Sequence, residues 1–368
     1  MGLKLSLYIH IPFCAAFCDY CDFFSIKEAD VSDEYKTKYL QAVVSDINYQ
    51  AEYFNVEEVP TVYIGGGTPS LLGRRISVLL DGLKKFSPVE FTVEANPESA
   101  TEDFLDACRE GGVNRLSLGI QTFFEPSRNA VNRTGKAVLE KLALASRYFP
   151  GSLSVDLITG LPLQTEEIVL DDIKRILDFA SHVSLYSLTV EEESELEKKI
   201  RTKEITFPYG DFSDSLWLAS RDALKEAGFR HYEVSNFARN GSECLHNIRY
   251  WRMEGWLGAG PAASGTVIDE QTGKAKRYTY ANDIDEYVTS PRIQKAVVED
   301  LNKEELMRES LLMGYRFCEG PEEAIFKQRF GCSILDCIPK TLSNWKNKDK
   351  MLFLNSFLSD AFSELDER

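Results

Sequence analysis

The sequence predicts an α/β chain, a partial barrel of six β/α units followed by a smaller, mostly helical C-terminal domain. Three observations lead there. A unit made of a short apolar or alternating run, a loop rich in Gly, Pro or Asn, and an amphipathic stretch recurs six times in the first two thirds of the chain. Polar and glycine-rich segments follow the carboxyl end of each run, the end where a parallel α/β barrel binds ligands. From His231 the repeat stops.

Taken in order, the strand Leu5–Ile9 leads into PFCAAFCDYC and a helix over Asp33–Phe54. Thr61–Ile64 leads into GGGTPS and a helix over Arg74–Phe86, and Glu90–Glu94 into EANPES and a helix over Thr101–Glu110. Asn114–Gly119 is followed by GIQTF and a helix over Lys136–Tyr148. Leu153–Ile158 is followed by DLITGLP and a helix over Glu166–Phe179, and Val183–Val190 by TVEEES and a helix over Phe212–Ala227. Alternating strand and helix imply a parallel sheet with right-handed crossovers. A doubly wound sheet would concentrate its ligand at one switch point, whereas all six loops here are chemically equipped, which favours the partial barrel. The stretch from His231 to Gly265 is followed by a polar, turn-rich segment through Lys274, TSPR interrupts the pattern between Tyr287 and Arg292, and helices are expected over Glu304–Tyr315 and Met351–Leu365. The expected division is therefore a barrel over residues 1–230, a connecting segment over 231–290 and a helical domain over 291–368.

Composition narrows the function. The 368 residues carry 42 basic and 58 acidic side chains, a formal charge of −16, and so acidic a surface repels phosphate backbones. No nucleic-acid partner is expected. No stretch reaches the roughly 18 uninterrupted apolar residues of a membrane helix. The start, MGLKLSLYIHIPFC, lacks the apolar core and cleavage site of a signal peptide, so a cytoplasmic location is expected. Eight cysteines are too few for a disulfide scaffold. Cys108, Cys244, Cys318, Cys332 and Cys337 are scattered and expected to pack as small hydrophobes, whereas Cys14, Cys18 and Cys21 fall within one loop.

Cys14-x3-Cys18-x2-Cys21 supplies three soft ligands, one short of a closed tetrahedral site. Two occupants fit that count. One is a structural zinc completed by His10 or a distant cysteine, and the other is an iron–sulfur cube with one iron open to a ligand. Gly65, Gly66 and Gly67, followed by Thr68 and Pro69, let backbone approach a ligand closely and offer amides to an anionic or polar group. Glu94 and Asp156 each sit at a strand end, where a carboxylate can take a hydroxyl or an ammonium group. His182 and His231 are expected to be structural.

The ordered set YIHIPFC with its three cysteines, GGGTPS, EANP, NRLSLGIQTF, VNRTG, VDLITGLP and CLHNIRYW resembles the radical S-adenosylmethionine (SAM) superfamily. Within it, the set is similar to the branch that holds oxygen-independent coproporphyrinogen III dehydrogenase and the heme chaperones. The resemblance runs from Leu7 to about Gly260, with weaker matches in the tail. It implies a radical SAM type barrel in which Cys14, Cys18 and Cys21 bind three irons of a [4Fe–4S] cluster and SAM chelates the fourth. It further implies that Tyr8 and Tyr20 line the cofactor, that Gly66, Gly67 and Thr68 meet its methionine part, and that Glu94, Gln121, Arg133 and Asp156 make polar contacts. In that reading Arg133 faces the carboxylate and Asp156 the ribose hydroxyls.

Within the branch, the dehydrogenase carries a fourth cysteine two residues after the third, where this chain has Phe23, and an N-terminal extension before the cluster loop. Both differences point away from porphyrinogen decarboxylation and toward the chaperones, whose signature is matched by His246-Asn247-x2-Tyr250-Trp251. An imidazole with aromatic neighbours suits heme, as axial ligand and stacking surface, and equally suits a hydrogen-bonded histidine whose neighbours anchor the second domain. Placed just beyond the last barrel unit, the motif is expected to form a pocket where the second domain closes over the loop ends. Ser264 stands where the chaperones usually carry a histidine, and the stretch from Leu342 to Met351 is short where relatives carry a two-stranded wing. The resemblance implies heme as cargo and heme-accepting apoproteins, respiratory and membrane-associated, as partners, and it is compatible with a homodimer. The competing readings are a radical SAM enzyme such as the dehydrogenase and a zinc-stabilised barrel without redox chemistry.

Overall fold

The computed structural model describes residues 2–207 and 210–367. The six expected strands form as β1 (Ser6–Ile11), β2 (Thr61–Gly66), β3 (Glu90–Ala95), β4 (Arg115–Gln121), β5 (Leu153–Thr159) and β6 (His182–Ser187). They lie side by side in chain order and pair in parallel throughout. The crossovers carry α1 (Asp33–Tyr53), α2 (Ser77–Leu83), α3 (Glu102–Glu110), α4 (Val138–Tyr148) and α5 (Glu166–Ile176), and α6 (Asp211–Glu226) follows β6. Helix starts are set by side-chain caps. Ser32, Thr101 and Thr165 accept hydrogen bonds from the amides of Tyr35, Phe104 and Ile168, satisfying donors that the first turn leaves open. The strands alternate: Leu7, Ile9, Val62, Ile64, Val93, Leu116, Leu118 and Val155 are all buried in one core, and the positions between or beside them carry Tyr8, Tyr63, Glu94, Ser117 and Asp156.

The expected helix over Arg74–Phe86 is shorter than its pattern. Pro69–Ile76 and Lys84–Phe86 are 3₁₀ turns flanking α2, with Gly73 at a φ of 52° breaking the first of them. The sixth strand ends at Ser187 rather than Val190, and the chain to Ser194 is loop.

The stretch read as a connector is rich in strand. β7 (Arg230–Glu233) and β8 (Asn236–Ala238) form a hairpin, and β8 pairs antiparallel with β6. After α7 (Leu245–Trp251) the chain crosses to the other edge, where β9 (Trp256–Ala259) pairs in parallel with β1. β10 (Ser264–Asp269), β11 (Lys274–Thr279) and β12 (Val297–Leu301) continue antiparallel, giving a twelve-stranded sheet open at both ends. Ser264 is a β10 residue whose hydroxyl bonds that of Thr279 at 2.8 Å.

The β9–β12 extension is tied to the barrel by a buried polar knot. Asp46 of α1 accepts from the hydroxyls of Tyr280 at 2.8 Å and Tyr287, on α8 (Ile284–Thr289), at 2.7 Å. The C-terminal helices α9 (Lys303–Gly314), α10 (Glu323–Phe330), α11 (Ile334–Cys337), α12 (Pro339–Asn344) and α13 (Leu354–Asp366) build a second core around Leu306, Phe326, Trp345 and Phe357. That core also takes Ile268, Ala275 and Leu301 from the sheet extension.

Candidate cofactor site

A cavity of about 670 Å³ opens at the carboxyl ends of β1–β6. Its wall includes Cys14, Cys18, Cys21, Tyr20, Gly66, Gly67, Thr68, Glu94, Gln121, Arg133 and Asp156. Every cluster and SAM residue expected from the sequence except Tyr8 therefore reaches one space. Tyr8 lies beneath it. Its ring stacks on Tyr63 with centroids 6.4 Å apart, and its hydroxyl meets His10 Nδ1 at 3.2 Å.

The cysteine loop is held closed by a two-residue ladder, Phe13–Cys14 against Ile26–Lys27. Outside the ladder, long-range contacts fix it, among them the Asp19 amide donating to the Val131 carbonyl at 3.1 Å, Asn132 Nδ2 donating to the Phe17 carbonyl at 2.7 Å, and Lys199 pairing with Asp19 at 2.7 Å. The glycine loop docks on the same segment, with the amides of Gly67 and Thr68 donating to the carbonyls of Ile11 and Phe13 at 2.7 Å each. Glycine is required by space. A Cβ on Gly67 would lie 2.7 Å from the Phe13 carbonyl oxygen and 3.1 Å from Cys14 Sγ, and one on Gly66, at a φ of 107°, would lie 2.5 Å from His10 Nδ1.

Around this cradle the polar groups are aimed by their own partners. Glu94 accepts from the Tyr63 hydroxyl at 2.7 Å and the Gly66 amide at 3.3 Å, and burial pushes its carboxyl up to about 7. Asp156 accepts from Ser117 at 3.1 Å and is likewise raised by burial. Arg133 donates to Asn96 Oδ1 and to the Gly119 carbonyl at 2.7 Å each, and its other terminal nitrogen lies 3.7 Å from Cys18 Sγ. Gln121 sits at a φ of 68°, and its side-chain Oε1 is buried with no protein partner. A non-glycine residue held left-handed beside an unpaired buried oxygen marks a place prepared for a ligand.

Asn96 was not singled out in the sequence, yet it links Thr68 Oγ1 at 3.0 Å to Arg133 and so couples the glycine loop to the arginine. Its signal was present in the EANP motif. Lys199 had none, because its tie to Asp19 spans most of the barrel.

The three thiols, the glycine cradle and the unpaired Gln121 oxygen fit a thiolate-held cluster with a polar organic ligand beside it. Comparison with known proteins agrees. The radical SAM superfamily model matches residues 8–180. The heme chaperone HemW of Lactococcus lactis is 32% identical over 340 residues, covering 89% of this chain and 86% of that protein. The chain belongs to the radical SAM superfamily and, within it, to the HemW family. The Escherichia coli heme chaperone HemW is 36% identical over 72% of this chain and 70% of its own length. Mouse radical S-adenosyl methionine domain-containing protein 1, mitochondrial, is 35% identical over 85% of the chain and 73% of that protein. Among solved structures, coproporphyrinogen III oxidase (HemN) from Escherichia coli matches with a TM-score of 0.79 at 22% identity, over 98% of this chain and 90% of that one, and so shares the fold.

The second expected site is elsewhere. α7 starts on Glu90, the first residue of β3, whose carboxylate accepts from the amides of Leu245 at 2.9 Å and His246 at 2.8 Å. His246 Nδ1 meets the hydroxyl of Thr61, the first residue of β2, at 2.9 Å. The HNxxYW helix thus plugs the amino ends of the strands, opposite the cysteines, and the expected pocket over the loop ends does not include it. His246 is 1% exposed between the rings of Tyr63 and Tyr250, and Trp251 packs on Tyr232 and Phe317. Burial drives the His246 imidazole down to about 3, so it is neutral. His182 and His231 are structural: His182 bridges Ser154 and Tyr232 at 2.7 Å each, and His231 stacks on Phe237.

Proposed function

We propose that this chain is a heme chaperone of the HemW kind, which binds heme and passes it to apoproteins, the respiratory and membrane-associated ones included. What carries the reading is the convergence of Cys14, Cys18 and Cys21 with the glycine loop and Glu94, Gln121, Arg133 and Asp156 on one cavity, in a chain 32% identical to a heme chaperone over 89% of its length. Cys14, Cys18 and Cys21 would hold a [4Fe–4S] cluster, which supplies an open iron and an electron to SAM when both are bound. Arg133 then pairs with the SAM carboxylate, Glu94 with its ammonium group, and Asp156 with the ribose hydroxyls. Tyr20 and the Gly66–Thr68 loop close around it.

Among the described residues no helix is long and apolar enough to cross a membrane. In this reading the protein is cytoplasmic and delivers heme to its membrane-associated partners. A homodimer remains compatible with this role. In the same reading His246 offers its imidazole to heme iron, with Tyr250 and Trp251 as stacking surfaces. Because that ring is 1% exposed, binding through it requires α7 to leave Glu90 and Thr61.

The test is anaerobic reconstitution followed by separate titrations with SAM, heme and coproporphyrinogen III. Saturable heme binding in the Soret band, SAM binding that depends on the cluster, and no decarboxylated porphyrinogen by mass are expected. No saturable heme binding would remove the chaperone function, and stoichiometric decarboxylation would replace it with the dehydrogenase. A His246→Ala variant with an unchanged Soret band would place the heme away from α7.

A further inference from the structure

Two cysteines that the sequence offers only as packing thiols stand together in the C-terminal domain. Cys332 follows Gly331, whose φ of 74° ends α10, and Cys337 closes the single turn of α11. That turn is set by reciprocal capping between Ser333 and Asp336, with the Cys337 amide donating to the Ser333 carbonyl at 3.1 Å. It brings the two Sγ atoms to 3.0 Å, about 1 Å from the bonded S–S length of about 2.05 Å.

Cys332 is half-buried and Cys337 is 1% exposed within the second core, so an incoming reagent meets Cys332 first. A shared metal ion fits poorly. Two thiolates on one tetrahedral zinc, with Zn–S about 2.3 Å, would stand about 3.8 Å apart. Among the described residues no group of three metal-ligating side chains forms around the pair.

We propose that Cys332 and Cys337 are a reversible dithiol–disulfide site, oxidised by low-molecular-weight disulfides of the glutathione class. The Cys332 thiolate attacks one sulfur of the disulfide, forming a mixed disulfide and releasing one thiolate. Cys337 Sγ, already beside it, then attacks Cys332 Sγ, forming the internal bond and expelling the second thiolate. The two protons lost by the cysteines end on the two released thiols, so the protein gives up two electrons and the small disulfide takes them. The bond locks the α10–α11 connection beside a cleft of about 440 Å³ lined by Tyr315, Ser333, Ile334, Leu335 and Leu342.

Arg329 and Lys340 flank the pair, so trypsin releases both cysteines on the single peptide Phe330–Lys340. The full chain, with its cluster reconstituted, is incubated anaerobically with excess glutathione disulfide, denatured in iodoacetamide, digested and weighed. The expected peptide carries no alkyl group and is about 2 Da lighter than the dithiol form, the mass of two hydrogens, and dithiothreitol restores two alkylation sites. Cys108, at 0% exposure, should be alkylated in the same digest and serves as the internal control. In Cys332→Ser, Cys337 should be alkylated after the same treatment, and if that variant does not fold the parent peptide alone decides. A doubly alkylated Phe330–Lys340 peptide, or a glutathione adduct that persists on Cys332, overturns the proposal.

Discussion

Replacing Gly66 by alanine should disable the cofactor site while leaving the cysteines in place. Two penalties add. At a φ of 107° an L side chain is strained, at about 1–2 kcal/mol. The new methyl also lands 2.5 Å from His10 Nδ1, and the imidazole has little room to yield, because its Nε2 is bonded to the Phe24 carbonyl at 2.8 Å and its Nδ1 to Tyr8. Relieving the overlap requires overpacking or breaking those bonds, at about 1–3 kcal/mol. A total of about 3 kcal/mol, released by moving the glycine loop off its bonds to Ile11 and Phe13, corresponds to a loss of SAM affinity of about 100-fold. The assay is equilibrium dialysis of SAM against reconstituted protein, with iron content measured in parallel. Gly73→Ala is the control: its φ of 52° imposes a similar backbone strain, but nothing lies within 4 Å of its Cβ and it does not line the cavity, so SAM affinity should hold. If Gly66→Ala binds SAM within twofold of the parent, the steric account of the glycine loop is wrong.

Single replacement of Cys14, Cys18 or Cys21 by alanine should collapse iron content in reconstituted protein, whereas Cys108→Ala and Cys244→Ala should keep it; the opposite pattern would move the cluster. With the Glu94 carboxyl raised to about 7, its ionised form and hence SAM affinity should grow as pH rises through neutrality. Glu94→Gln should flatten that dependence and weaken binding about 10- to 100-fold, the size of one lost charge-assisted hydrogen bond, and a variant with the parent's pH profile would remove Glu94 from the ammonium site. His246 is neutral in the folded chain down to about pH 3, whereas in the unfolded chain it takes up a proton below about pH 6.5, so the folded state loses about 1.4 kcal/mol per pH unit of acidification through this residue. Chemical denaturation of the parent and His246→Gln between pH 5 and about 6.5 should show the steeper acid loss in the parent, and equal slopes would mean that the imidazole is not buried as described.

The six β/α units, their order and the composition of the cofactor cavity were legible in the sequence because each rests on short-range information. Apolar runs followed by amphipathic stretches determine strand and helix locally, and in a parallel sheet the loops after the strands share one end whatever the details of packing. The cysteine spacing and the glycine run needed no tertiary knowledge for the same reason. The structure alone decided what depends on partners distant in the chain. β7, β8 and β9 are four, three and four residues long, and Lys274–Thr279, which the sequence leaves unassigned, becomes a strand because β10 and β12 flank it. Tyr8 faces the layer beneath the cavity because of its register on β1, and Asn96 becomes a site residue only when Thr68 and Arg133 are brought to it. The HNxxYW motif shows how far such placement can depart from sequence proximity. Residues just beyond the last barrel unit return to the opposite end of the strands, because the carboxylate of Glu90 is there to cap the helix and Thr61 to meet the imidazole.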